Sequence, residues 1–129
     1  MANKHKGANA ERELLHMLSA NGFAVVRVAG SGMIAETACD LIAGNSSKKF
    51  AIECKTSKEK KRYIDKQQMA DLKEFAKKFG FPPLVAVKFN RQGWWFIEPE
   101  GLEDTGKGLA ISLDNIKIKG KSFDDLLKN

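Results

Sequence analysis

Asp40, Glu53 and Lys55 lie in DLIAGNSSKKFAIECK, residues 40–55, whose alternation reads as two strands folded about a polar break. With the turn at Ser46-Ser47, Asp40 faces Glu53, Ile42 faces Ala51 and Gly44 faces Lys49. Lys55 then emerges on the same face as Glu53, while Leu41, Ala43, Phe50, Ile52 and Cys54 form an apolar set on the other. A one-residue slip would bury the acids instead, so the apolar pattern supports this register. Two carboxylates opposed at about 5 Å repel by roughly 3 kcal/mol at an effective dielectric of about 20. Exposure would weaken that repulsion, a shared proton would remove it, and a divalent cation would convert it into binding. Mg²⁺ takes hard oxygen ligands, typically one or two carboxylates completed by water and phosphate oxygens. The hairpin mouth therefore reads as a metal site.

The helix expected over Ala8 to Asn21, with Ala10, Leu14, Leu15 and Leu18 at helical spacing, adds a third acid. Glu11 falls on the inward stripe and in the first turn, where the helix dipole favours a carboxylate. A glutamate there either curls out into water or joins the site, and the opposed pair already on the hairpin favours the second reading. Before this helix, residues 1–7 read as a flexible basic arm. After it, FAVVRV is a strand, AGSGMIAETA a loop and TSKEKKRY a basic loop. A second helix starts at Asp65, with Gln68 completing a capping box, and buries Met69, Leu72, Ala76 and Phe79 before Gly80, Pro82 and Pro83 stop it. LVAVKF and WWFIEP form a second hairpin. A turn at Arg91-Gln92 would pair Phe89 with Trp94 and Val87 with Phe96 on one face, which is either core or an interface. A short strand near 116–118 and a terminal helix capped by Ser122 complete one α/β domain spanning residues 1–129.

The 129-residue chain carries 22 Lys and Arg against 16 Asp and Glu, a formal +6. That surplus suits a polyanion, or simply keeps the protein in solution. Lys4, Lys6 and the run Lys58, Lys60, Lys61 and Arg62 are candidate phosphate contacts, or a solvated arm and loop. No apolar run reaches the ~18 residues of a membrane span, and the polar start lacks the apolar core of a secretion signal, so a cytoplasmic, nucleoid-associated location is expected. Cys39 and Cys54 oppose each other in the hairpin register and are expected as thiols in a reducing compartment. With His5 and His16 scattered, no zinc spacing exists.

An acid followed on the next strand by Glu-x-Lys is the signature of the restriction-endonuclease-like nuclease fold, a central mixed sheet flanked by helices. GANAEREL, GFAVVRVAGSG, DLIAGN, AIECK, EFAKKFG, VAVKF and WWFIEP follow in order. This series closely resembles the archaeal-type Holliday junction resolvases, the Hjc family, from about Lys6 to Glu98. The resemblance implies a DNA endonuclease that resolves four-way junctions by paired symmetric cuts. The alternatives are the same fold acting on other branched DNA, and a non-catalytic junction binder. It implies that Asp40 and Glu53 bind Mg²⁺, with Mn²⁺ able to replace it, helped by the backbone carbonyl of Cys54. Glu11 would act in the outer sphere or on a second ion, and Lys55 would orient or deprotonate the attacking water. Ser31 would assist cleavage and, with Arg12 and Arg27, hold DNA. The products would carry 5′-phosphate ends. A homodimer is implied, with the sheet face of Val87, Phe89, Trp94 and Phe96 as its candidate interface.

Overall fold

The structure, a computed structural model, describes the backbone of residues 2–28 and 39–128 and the side chains of 7–28 and 39–128. Helix α1 (Ala2–Ala20) leads into β1 (Ala24–Arg27), and β2 (Leu41–Gly44) and β3 (Lys49–Ser57) form the first hairpin. Then follow β4 (Lys61–Ile64), α2 (Lys66–Phe79), β5 (Pro83–Phe89) and β6 (Gly93–Ile97). The C-terminal part contains β7 (Glu103–Asp104), β8 (Leu109–Ser112), α3 (Leu113–Lys119), β9 (Lys121–Ser122) and α4 (Phe123–Leu127). Six strands make one sheet in the order β1-β2-β3-β5-β6-β9, and β4-β8-β7 make a second. Among the described residues only β3 and β5 pair in parallel, and every other ladder is antiparallel. A parallel pair cannot be joined by a tight turn, so β4 and α2 carry the crossover.

Both faces of the large sheet are covered. On one, Ala10, Leu14 and Leu18 of α1 pack with Leu41, Ala43, Ile52, Ala86 and Phe96. On the other, Met69, Leu72 and Ala76 of α2 pack with Ala51, Val85 and Val87, joined by Ile64 and Ile111 from the small sheet. The hairpin register is the expected one, with Ile42 opposite Ala51 and Gly44 opposite Lys49. Gly22, at φ 90°, ends α1 as expected: the Phe23 amide reaches back to the Leu18 carbonyl at 3.1 Å and that of Gly22 to Ser19 at 3.3 Å. Asp65 and Ser122 cap α2 and α4. Among the described residues no helix is long and apolar enough to cross a membrane.

Several expectations are overturned. The segment read as a flexible arm is helical from Ala2 onward. It contains no proline, and the lone Gly7 costs only about 1 kcal/mol in a helix that propagates outward from a packed segment. Glu11 therefore sits mid-helix, and the first-turn dipole argument for it lapses. The basic loop is mostly strand: Thr56 and Ser57 extend β3 against Lys88 and Phe89, and Lys61–Ile64 pairs with Leu109–Ser112. Residues 116–118 are helical, with Leu113 and Ile116 buried one turn apart and Ile118 82% exposed. Phe79 is half exposed rather than buried.

The second hairpin slips by one residue from the expected pairing. Phe89 opposes Gly93 and Val87 opposes Trp95, leaving Asn90, Arg91 and Gln92 as the turn, with positive φ at Arg91 and Gly93. The slip exchanges faces. Val87 and Phe89 now join the cluster under α2, Trp94 and Phe96 the cluster under α1, and all four are buried. They share no face and offer no surface, so they are not a dimer interface. Cys39 and Cys54 are both free thiols; Cys39 belongs to the cluster under α2 and Cys54 packs against the cluster under α1.

Candidate active site

The regular β2–β3 ladder ends at Leu41 opposite Ile52, and Asp40 sits just beyond it. Its amide donates to the Ile52 carbonyl at 2.8 Å, its own carbonyl accepts from the Val28 amide at 2.9 Å, and its Oδ2 accepts from the Cys54 amide at 2.8 Å. Asp40 is thus stitched to β3 and to the end of β1, near enough to Glu53 for the two charges to act on each other. Glu53, 6% exposed, is the one buried charged side chain among the described residues. Burial, and next the charge of Asp40, push its pKa up to about 7, against the pull of Lys55. Burial raises Asp40 as well, opposed by the Cys54 amide and then by Lys55.

Lys55 follows Glu53 on the same face, its Nζ 3.4 Å from Glu53 Oε2. Between them stands Gln68, whose Oε1 accepts from Lys55 Nζ at 2.6 Å and whose Nε2 donates to Glu53 Oε2 at 3.1 Å. Gln68 is expected to complete a capping box. Asp65 does cap α2, accepting from the amides of Gln67 and Gln68, but the Gln68 side chain enters the site. The available signal was its spacing: Gln68 lies four residues before Leu72, on the buried face of the helix.

Glu11 reaches the same end of the sheet from α1. Its Oε1 accepts from Arg27 Nε at 2.9 Å, and burial followed by the charge of Asp40 raises its pKa. Arg27, expected to contact phosphate, is thus tied to an acid of the site through Nε, while its terminal nitrogens are not part of that bond. Arg12 is exposed. Lys58, Lys60 and Lys61 are exposed too, but Arg62 is half-buried and donates through Nη1 to the Thr56 carbonyl, securing the turn between β3 and β4. That bond engages Nη1 alone. Ser31 and the side chains of Lys4 and Lys6 lie outside the described residues. A cleft of about 470 Å³ opens at Cys54 and Lys55 and runs between α1 and the β3–β4 turn. Lys55, Lys58, Lys61 and Arg62 line it against the single acid Glu59.

Asp40 and Glu53 offer hard oxygen donors whose mutual repulsion and burial leave them short of positive charge, a set that fits a hard dication. Among the described residues no group of three His, Cys, Asp or Glu side chains converges on one point. Glu11, held by Arg27, stands behind the pair instead.

The chain matches the family model described as archaeal Holliday junction resolvase (Hjc) over residues 2–129. It is 38% identical to the crossover junction endodeoxyribonuclease Hjc of Methanocaldococcus jannaschii, covering 95% of this chain and 96% of that one. It is 33% identical to the crossover junction endodeoxyribonuclease Hje of Saccharolobus solfataricus, covering 88% and 83%. Among solved structures, Archaeoglobus fulgidus Hjc, titled a Holliday junction resolvase from an archaeal hyperthermophile, superposes with a TM-score of 0.83 at 36% identity, covering 89% of this chain and 93% of that one.

Proposed function

The chain belongs to the archaeal Holliday junction resolvase (Hjc) family, and from that premise we propose that it resolves four-way DNA junctions by Mg²⁺-dependent hydrolysis, leaving 5′-phosphate and 3′-hydroxyl ends. One observation carries the reading: the half-buried Asp40 carboxyl group, fixed by the Cys54 amide at 2.8 Å, stands beside the buried Glu53, whose carboxyl group lies 3.4 Å from the Lys55 ammonium. Asp40 and Glu53, with the Cys54 carbonyl, would hold the ion, which supplies Lewis-acid stabilisation of charge growing on the phosphate. Lys55 directs its ammonium at the attacking water and the non-bridging oxygens, and the bond from phosphorus to the 3′ oxygen breaks. Gln68, bonded to both, holds the Lys55 ammonium and the Glu53 carboxyl group in place, and Glu11 would help order water beside the ion. Arg27, Arg12, Ser31, Lys6 and the lysines of the β3–β4 turn would grip flanking phosphates.

The test incubates the protein with a mobile four-way junction and with linear duplex, in Mg²⁺ and in EDTA. Symmetric cutting of the junction alone, abolished by EDTA, supports the reading. Equal cutting of duplex would favour a broader branched-DNA nuclease, and binding without cutting a silent junction binder. Gln68→Met keeps the length of the side chain and removes both of its hydrogen bonds. It is expected to slow single-turnover cleavage about 10–100-fold, the usual effect of losing a residue that orients metal-site groups, without changing Tm.

Two matched cuts on a two-fold-symmetric junction call for two sites related by the same symmetry, hence a C2 homodimer. With the sheet face buried, the exposed aromatic cluster of α2 is the better candidate interface. Phe79, 50% exposed, stacks on Phe75 at 5.7 Å and meets Phe81 edge-on at 4.9 Å. Phe79→Asp is expected to yield a monomer in sedimentation with an unchanged circular dichroism spectrum. A dimer persisting in that variant would exclude this face.

A further inference from the structure

The small sheet carries a feature that the cleavage chemistry leaves unused. Tyr63, the only tyrosine in the chain, stands on the outer face of β4 with 69% of its surface exposed. Its exposure is not explained by packing, since the neighbouring Ile64 and Arg62 supply the inward contacts of that strand. The Lys61 ammonium lies 5.5 Å from its ring centroid. Lys61 also lines the cleft that opens at Lys55, whereas Tyr63 lines a second, shallower hollow of about 920 Å³ bounded by Lys66, Gln67, Lys107 and Leu109. A residue of each hollow thus meets the other at the Lys61–Tyr63 contact, on the side of the small sheet that leads away from Lys55. Of the acids near the second hollow, Asp65 is occupied in capping α2, and Asp104 lies 3.6 Å from Lys66.

An aromatic ring beside lysines on an open surface is the arrangement that takes a single nucleobase on its face while the charges follow the backbone. Within a duplex both faces of every base are stacked on neighbouring pairs, whereas an unstacked four-way junction exposes the faces of the base pairs that meet at its centre. We propose that Tyr63 stacks on a base face exposed at the branch point, with that strand running from Lys55 past Lys61 toward Lys107, so that this residue distinguishes branched from linear DNA. The inference rests on the reading of the chain as a junction nuclease.

Binding is measured in EDTA with the full chain, using a labelled four-way junction and a duplex of equal length. Tyr63→Ala is expected to weaken junction binding roughly tenfold, what one stacked base typically contributes, with duplex binding within about twofold of the unaltered protein. Tyr63→Phe, which keeps the ring and loses the hydroxyl, should bind the junction normally. Because the residue is exposed, Tm should not move. A junction carrying 5-iododeoxyuridine at the branch should photo-crosslink to Tyr63 in the unaltered protein. Equal loss on junction and duplex would identify a backbone contact and overturn the proposal, as would crosslinking elsewhere. Failure of the unaltered protein to prefer the junction would instead remove the underlying reading.

Discussion

Asp40→Asn is expected to slow junction cleavage on the order of a thousandfold, the scale seen when a charge-stabilising group leaves an active site, while the protein still binds the junction. The carboxamide oxygen can still accept the Cys54 amide bond that Asp40 Oδ2 makes at 2.8 Å, so the hairpin keeps its shape. What disappears is one negative charge from the pair facing the proposed ion and the incoming phosphate. Binding should therefore be no weaker, and the repulsion felt by Glu53 should fall. Single-turnover cleavage, junction titration in EDTA and calorimetric Mg²⁺ titration separate these effects. Cleavage within tenfold of the unaltered rate would remove Asp40 from the ion-binding role.

The second large effect concerns stability rather than turnover. Glu53 has a folded-state pKa of about 7 against an ordinary value of 4.5, chiefly because it is buried and secondarily because Asp40 is beside it. A carboxyl raised in this way contributes its full stability below about pH 4.5, where it is neutral in both folded and unfolded chains. That contribution is lost as pH rises through about 7, because only the unfolded chain ionises freely. The loss amounts to about 3 kcal/mol for a shift of this size. Asp40 and Glu11, also raised, act in the same direction. In EDTA, Tm should thus fall between pH 5 and pH 8. Glu53→Gln should flatten that slope and leave the variant more stable than the unaltered protein at pH 8, although unable to cleave. Mg²⁺ should raise Tm of the unaltered protein at pH 8 and not that of Glu53→Gln. Identical pH profiles for the two proteins would contradict the buried-charge account. Stability at neutral pH is in this sense traded for a site poised for the proposed ion.

The parts legible from sequence are those set by local alternation. Leu41, Ala43 and Ile52 fix the first hairpin, and with it the common side of Asp40, Glu53 and Lys55. The cap at Asp65 and the glycine stop at Gly80 are equally local. What escapes is set by turn geometry or by distant partners. Gly93 carries the signal for a longer turn, since a left-handed glycine commonly closes three-residue hairpin loops, and one residue of slip scattered the expected aromatic face. Nothing in KKRYI marks it as a strand, because its partner, Leu109–Ser112, lies far along the chain. Gln68 was ambiguous for a different reason: Asp-x-x-Gln satisfies a capping pattern whether the glutamine turns back to the helix start or reaches across to β3.

The connection between β4 and α2 consists of Asp65 alone, with β4 ending at Ile64 and α2 starting at Lys66. A single inserted residue that lengthened the start of α2 would turn Gln68 about 100° around the helix axis, away from Lys55 and Glu53. An insertion or deletion at this joint is therefore expected to uncouple Gln68 from the site, whereas a change of length in the exposed turn at 105–108 leaves the position of Gln68 on its helix untouched. Anyone building chimaeras from relatives should cut elsewhere and transplant residues 53–68 as one piece.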